Sequence, residues 1–484
     1  MATIGVTEAR EWALEEFEHA ELGDVRRTRR LVRVAECVLV RPGGTIGAVF
    51  DDLSDLHGAY DFVENDAVNP AALVAAMALA AARRACAYDM VWIATDGSSI
   101  TLSDRKRKKE TGRLGSGDNK GRGDKVHSAL VLDPDGIPLG LCAQTQWQRG
   151  DKFTRAARDK RPTREKETQQ WLDVRAAARS VMTAHAPAVT RHFLHDREAD
   201  AWPLLLDAVA CEPGEYTTIR GQWDRRLVTK EDTQDAPTRY LREALASSEI
   251  LGTYDLAVPS GPNRTARTAR MEIRACRVTL DLRDKRTDRH HAAPVYAVVT
   301  REMSAVPKGQ KAVEWLLLTT YPVTTQEDAH WVIAGYAKRW RIEQFHLAWK
   351  SAGTDVESMQ LESADHRARW SLILAAVAVK LLRWQLLARD RLTTAASEEF
   401  TPEQIEAVRD LQGRVEVPVR GTVTVAQMVR AIAFLGGWTG AKGRPPGTKI
   451  LARGWARVTA YLWGMKRAAN RRQTAENAGQ NGRN

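Results

Sequence analysis

Two short runs constrain this chain most: Met90-Val-Trp-Ile-Ala-Thr95, ending at Asp96, and Thr190-Arg-His-Phe-Leu-His195, ending at Asp196. Both are short and strand-like in composition, and both stop at an acid. Between them, Val126 to Leu132 and Ile137 to Gln146 flank Pro134-Asp135-Gly136, a turn signal that makes them a hairpin. An Ala-rich helical stretch, Pro70 to Cys86, precedes the first strand, and a second helix is expected around Glu165 to Ala184. This alternation predicts an α/β sheet. Open sheets of that kind place their sites at the C-terminal ends of strands, where both aspartates fall.

The flanks read differently. Residues 1–71 are expected to be helical and to form an N-terminal domain. Arg26, Arg27, Arg29 and Arg30 crowd one turn and a half of its second helix. Cations that close repel one another unless something anionic neutralises them, and DNA phosphates would do so. Residues 72–368 form the expected catalytic domain, with a strand-rich insertion at about 215–323. A long helix is expected from Thr324 to about Ala352, opened by a capping box of Thr324 and Glu327. Residues 369–484 are expected to be a helical C-terminal domain, interrupted at Gly436–Gly447, with a flexible polar tail from Arg471.

Composition narrows the partners. The net charge is +11, and residues 361–484 hold 20 Lys/Arg against 10 Asp/Glu, a balance that suits a polyanion or simply a solvated surface. Five cysteines are scattered without a C-x-x-C spacing, which argues against a disulfide framework or structural zinc. His127, His195 and His346 likewise lack ligand spacing. No run of about 20 apolar residues and no secretory h-region is found, so no membrane partner is expected. The run Arg105–Lys109 fits either a DNA-gripping loop or a solvated one.

The long helix carries most of the functional argument. With Tyr336 at 0°, Arg339, Glu343 and Lys350 fall at about 300°, 340° and 320°, so four polar side chains share one arc of roughly 60°. Trp331, Ile342, Phe345 and Trp349 form a separate apolar stripe between about 180° and 240°. The helix can therefore dock by one face and present the other to a site. An ordinary exposed face with an Arg339–Glu343 or Glu343–Lys350 ion pair, worth about 0.3–0.5 kcal/mol, fits the same spacing. Hydrolysis and transfer of phosphodiesters need an activated oxygen and a neutralised leaving group. Two hard cations roughly 4 Å apart supply both, and they take oxygen ligands such as three carboxylates.

The arrangement Tyr336-x2-Arg339-x3-Glu343-x6-Lys350 resembles the Y-R-E-K motif of DDE cut-and-paste transposases of the IS-four family. Asp196-Arg197-Glu198-Ala199-Asp200 and Asp96-Gly97-Ser98-Ser99 are similar to the segments around that family's two catalytic aspartates. Ala20-Glu21-Leu22-Gly23-Asp24-x-Arg26-Arg27-Thr28 resembles its N-terminal DNA-binding segment. Val126-His127-Ser128, Trp315-Leu316-Leu317-Leu318-Thr319 and Leu435-Gly436-Gly437 extend the likeness over most of the chain.

The resemblance implies an RNase H-like catalytic core with Asp96, Asp196 and Glu343 holding two Mg²⁺, Mn²⁺ substituting. It implies nicking at the ends of a bacterial insertion sequence, a DNA hairpin, its resolution, and strand transfer to target DNA. The partners implied are double-stranded DNA, at the terminal repeats and at the target, and a second protomer in a synaptic homodimer. Tyr336, Arg339 and Lys350 would contact DNA, as would Arg26, Arg27, Arg29 and Arg30, while Trp315 and Trp340 match the base-stacking and wedge positions. A bacterial cytoplasmic, nucleoid-associated location is expected with these partners.

Overall fold

The computed structural model describes residues 8–104, 108–115, 121–150, 161–228, 239–261, 264–412, 417–418, 421–443 and 445–481. Arg105, Lys106 and Arg107 of the basic run lie outside them. Among the described residues ten strands form one sheet. β1 (Met90–Thr101) pairs in parallel with β5 (Thr190–His195), which pairs in parallel with β6 (Glu215–Arg220). On its other edge β1 pairs antiparallel with β3 (Arg122–Leu132), and β3 carries both β2 (Gly112–Arg113) and β4 (Pro138–Trp147). Beyond β6 the sheet continues antiparallel through β10 (Glu314–Thr319), β9 (Arg289–Glu302), β8 (Arg267–Asp284) and β7 (Ile250–Val258). Glu215–Arg220, expected in the insertion, is thus the strand beside β5. One unbroken backbone ladder joins core and strand-rich segment.

Helices cover both faces. α6 (Thr168–His185) covers one side of β1, β3, β4 and β5, burying Val174, Ala178 and Met182 against Ile93 and Phe193. On the other side lie α9 (Gln326–Lys338), α10 (Trp340–Leu347) and α11 (Ala364–Asp390). The N-terminal helices α1 (Glu8–Phe17), α2 (Val25–Val40), α3 (Ile46–Val49), α4 (Leu53–Glu64) and α5 (Pro70–Ala85) do not keep a core of their own. Their apolar residues join one cluster with those of α11, α12 (Pro402–Leu411), α13 (Val425–Leu435) and α14 (Thr448–Asn481). The expected terminal domains are therefore physically continuous. Amphipathic patterns show which face of a helix is buried, but not what buries it.

The hub is α11. Its Arg369 is buried and donates to the carbonyls of Val63 and Val68, while Trp370 Nε1 donates to Gly44 O at 2.8 Å. Arg367, also buried, grips Asp124 of β3 through Nε and Nη2, at 2.8 and 2.9 Å. By length and composition α11 is apolar enough to cross a membrane, with a mean hydropathy of 1.6 over its best window, although Lys380 and Arg383 interrupt its apolar stretch. Yet 78% of that window is buried inside the protein, as befits a central core helix.

The long helix also differs from expectation. It is capped one residue later, by Thr325 and Asp328: the Thr325 hydroxyl accepts from Asp328 N, and the Asp328 carboxylate accepts from Thr324 N and Thr325 N. It has an irregular turn at Arg339 and widens into a π turn at Ala348–Ala352. Its docking is fixed by Gly335, where a Cβ would collide with the Trp92 ring of β1, and by Trp331, whose ring centroid lies 4.5 Å from that of Trp92. At the far end Trp349 Nε1 donates to Ser371 O of α11 at 3.0 Å. The C-terminal tail, expected to be flexible, continues α14 to Asn481.

Candidate active site

Asp96 and Asp196 enter the site from neighbouring parallel strands. The β1–β5 ladder ends at Ala94 and Leu194, two residues short of each acid. β1 does not stop at Asp96, however. It runs on to Thr101 against β3, so the residue sits where parallel pairing is lost on one edge while antiparallel pairing persists on the other. Asp196 follows β5 directly and caps the turn Arg197–Ala199, its carboxylate accepting from Glu198 N at 2.8 Å. Glu343 comes from the opposite direction, on α10.

Asp96 and Glu343 line one open cavity of about 450 Å³ with Ser98, His346, Lys350 and Glu357. Asp196 does not line it. Among the described residues no three His, Cys, Asp or Glu side chains are close enough to hold an ion together. The expected common pocket is thus not closed around its three acids. Arg339 stands between two of them instead, donating to Glu343 Oε1 at 2.6 Å and approaching Asp96 Oδ2 to 3.8 Å. The ion pair allowed by the helix spacing is present, and it sits inside the site rather than on an ordinary exposed face.

Electrostatics link the three acids all the same. Burial pushes the Asp96 carboxyl up to about 7; Arg339 opposes this, and the charges of Asp196 and Glu343 add to it. A buried carboxylate with two like neighbours and only a shared guanidinium is short of positive charge, and hard oxygen donors in that state suit a divalent cation. Burial works against the charge of Arg339 too, but Tyr336, Asp96 and Glu343 outweigh it and hold the guanidinium above its ordinary value. The nearby histidines supply no charge, since burial lowers His127 and His346 to about 3.

The remaining sequence candidates separate. Lys350 reaches the cavity, its Nζ 3.5 Å from Ser98 Oγ and 3.8 Å from Glu357 Oε1. Tyr336 is buried, with Trp315 edge-on at 5.3 Å between centroids, and neither lines the cavity. Trp340 is 57% exposed and also outside the lining. The arginine cluster of α2 meets a few partners within the protein. Arg26 pairs with the N-cap Asp24, Arg27 donates to Leu22 O, and Arg30 lies 3.8 Å from Asp55. Arg29 is exposed.

Two side chains near the site escaped the sequence reading. Arg220, the last residue of β6, holds its guanidinium 5.8 Å from the centre of the Trp315 ring, close to Tyr336 and Arg197. Its position at a parallel strand end was the available signal, obscured by placing that strand in the insertion. Glu357 accepts from Thr101 N at 2.9 Å and faces Lys350. No periodicity marks it.

A strand order in which β4, β3, β1, β5 and β6 lie side by side, with β1, β5 and β6 parallel, defines an RNase H-like core. Residues 159–380 match the family model for the transposase DDE domain, and residues 9–68 match that for transposase DNA-binding. The chain is a DDE transposase, a metal-dependent enzyme of DNA cleavage and strand transfer. Asp196 and Glu343 fall inside the matched DDE segment, whereas Asp96 lies upstream of it.

Proposed function

We propose that this transposase moves an insertion sequence by the cut-and-paste route of the IS-four family, with Asp96, Asp196 and Glu343 as its catalytic carboxylates. The observation that carries this reading is geometric: Asp96 and Asp196 follow the last paired residues of two adjacent parallel strands, and Glu343 on the facing helix shares a cavity with Asp96. Two divalent cations, Mg²⁺ with Mn²⁺ as substitute, would be held by these acids and would supply an activated nucleophile and a neutralised leaving group. Binding them requires Glu343 to give up some of its hold on Arg339. Freed in part, Arg339 can grip a phosphate as a fork, and Lys350 as a point charge beside Ser98.

Tyr336, Arg220 and Trp315 form one polar–aromatic group next to Asp196, suited to a distorted DNA end, and exposed Trp340 is suited to stacking or wedging. The helices of residues 1–71 would read the terminal repeats, Arg26 and Arg29 facing solvent there. Residues 369–484 would pair two protomers across the two ends. The product of the first nick, a 3′ hydroxyl, would attack the opposite strand to make a hairpin, which is then opened before the ends join target DNA.

Purified protein with the DNA flanking its reading frame and Mg²⁺ should release hairpin-ended fragments, and release of nicked or flush ends alone would refute this route. Alanine at Asp96, Asp196 or Glu343 should reduce cleavage by several orders of magnitude and leave end binding, read by mobility shift, within about threefold. Excess non-cognate DNA should not suppress cleavage of cognate ends; if it does, the enzyme is a general nuclease.

A further inference from the structure

Behind the two aspartates, on the α6 side of the sheet, runs a buried chain of polar side chains that the cleavage chemistry does not use. Strand alternation turns Thr95 and His195 away from the face that carries Asp96 and Asp196. Thr95 Oγ1 and His195 Nδ1 are hydrogen-bonded to each other. His195 Nε2 lies 3.2 Å from Arg175 Nη1 of α6. Arg175 also donates to Thr217 Oγ1 of β6 at 2.7 Å and to Glu215 Oε1 at 2.6 Å, and its Nε pairs with Asp207. Thr95, His195, Arg175, Glu215 and Thr217 are all at most 2% exposed.

The position of this chain matters more than its length. Backbone pairing between β1 and β5 ends at Ala94 and Leu194. Past that point the ladder no longer sets the spacing of the two strands, yet the acids lie two residues further on. The Thr95–His195 bond is the next rung, made by side chains, and each partner is covalently adjacent to one of the acids. An arginine can only donate, so its contact makes His195 Nε2 the acceptor and leaves the Nδ1 proton to donate to Thr95. The imidazole is thereby fixed in one tautomer, anchored to a helix, and bridged to the neighbouring strand.

We propose that Thr95, His195 and Arg175 are positioning residues that set the spacing of Asp96 and Asp196 and so govern how tightly the site takes divalent cation. This rests on the reading of those two aspartates as metal-binding groups. Groups bonded directly to a metal-binding side chain typically change affinity by about 10–100-fold when lost, and support passed through the backbone of a neighbouring residue is expected near the lower end of that range.

Mn²⁺ affinity of the full-length protein without DNA, measured by calorimetry or by the free-ion paramagnetic signal, tests it. Thr95→Val keeps the shape and deletes the hydroxyl, and should weaken Mn²⁺ binding about tenfold or more. Thr95→Ser restores the hydroxyl and should bind within about twofold of the parent. End-DNA binding in EDTA should be the same in all three. Should Thr95→Val fold poorly, Thr95→Ala removes the same bond without placing a methyl group against His195, and the same loss is expected.

Parental affinity in Thr95→Val or Thr95→Ala overturns the proposal, as does a Thr95→Ser variant that loses as much as Thr95→Val. The underlying reading fails separately, if Asp96→Asn and Asp196→Asn bind Mn²⁺ as the parent does.

Discussion

Burial, with the charges of Asp196 and Glu343, pushes the Asp96 carboxyl up to about 7, against an ordinary value of 3.8. Because the folded value is raised, the folded state binds this proton more tightly than the unfolded chain does. The resulting stability is fully present below about pH 4 and is lost as pH rises towards 7. In EDTA, the melting temperature of the parent should therefore fall across that window relative to Asp96→Asn, whose amide does not titrate. On the proposed reading, divalent cation binds the deprotonated carboxylate, so its affinity should change the opposite way, rising about tenfold per pH unit up to 7 and then levelling. Mn²⁺ titrations at pH 5.5, 6.5 and 7.5 decide it, and a flat profile would contradict the burial of this acid. Arg339 is the largest influence opposing the upward shift. Arg339→Gln should accordingly raise the Asp96 value further, as read from its carboxyl carbon by NMR. Such values follow from burial and neighbours, which no residue carries in its own identity. The sequence offered Asp96 as a candidate, but it could not offer its charge state.

At the scale of elements, α9 and α10 are the part that must be held still, since they carry Arg339 and Glu343 to the sheet. Their seat is Trp92, whose ring lies against Gly335 and Trp331. Alanine at a helical glycine normally gains about 1 kcal/mol. Here the added methyl meets an indole in a closed contact, and overpacking of that kind costs about 1–3 kcal/mol. Gly335→Ala should therefore be neutral to destabilising in denaturant melts, by up to about 2 kcal/mol, and should reduce cleavage more than end binding because Glu343 is displaced. A clearly stabilised variant with full activity would show that Trp92 yields freely. The polar arc and the apolar stripe were both legible in the residue spacing. The irregular turn at Arg339 and the π turn at Ala348–Ala352 were not, because an ideal helical spacing carries no sign of a local break. The capping box was misplaced by one residue for a simpler reason: Thr324 and Thr325 compete for the same cap, and Asp328 reaches the backbone N–H of both.

At the scale of the molecule, the N-terminal helices and the C-terminal helices share one hydrophobic cluster centred on α11. Arg367 ties this helix to the sheet, and Arg369 with Trp370 ties it to the N-terminal helices. A fragment of residues 1–71 should lack cooperative melting on its own, because its apolar face loses the surface that covers it. In the full chain, calorimetry should show these helices unfolding together with α11. A sharp, independent transition of the fragment would show instead that these helices fold on their own. The same clamp fixes how the DNA-binding helices sit relative to Asp96 and Glu343, a relation on which cutting at a set distance from a bound repeat would depend.

By itself the sequence determined the alternation of strands and helices, the strand-like runs that lead into Asp96 and Asp196, and the helix spacing that groups Arg339, Glu343 and Lys350. All three follow from local periodicity, which a chain carries in its residue order. Tertiary structure alone decided that β6 belongs beside β5, that the terminal helices fuse into one core, and that Arg339 stands between the acids. Those outcomes depend on which surfaces meet across hundreds of residues, where burial and opposing charge act only once the chain has folded.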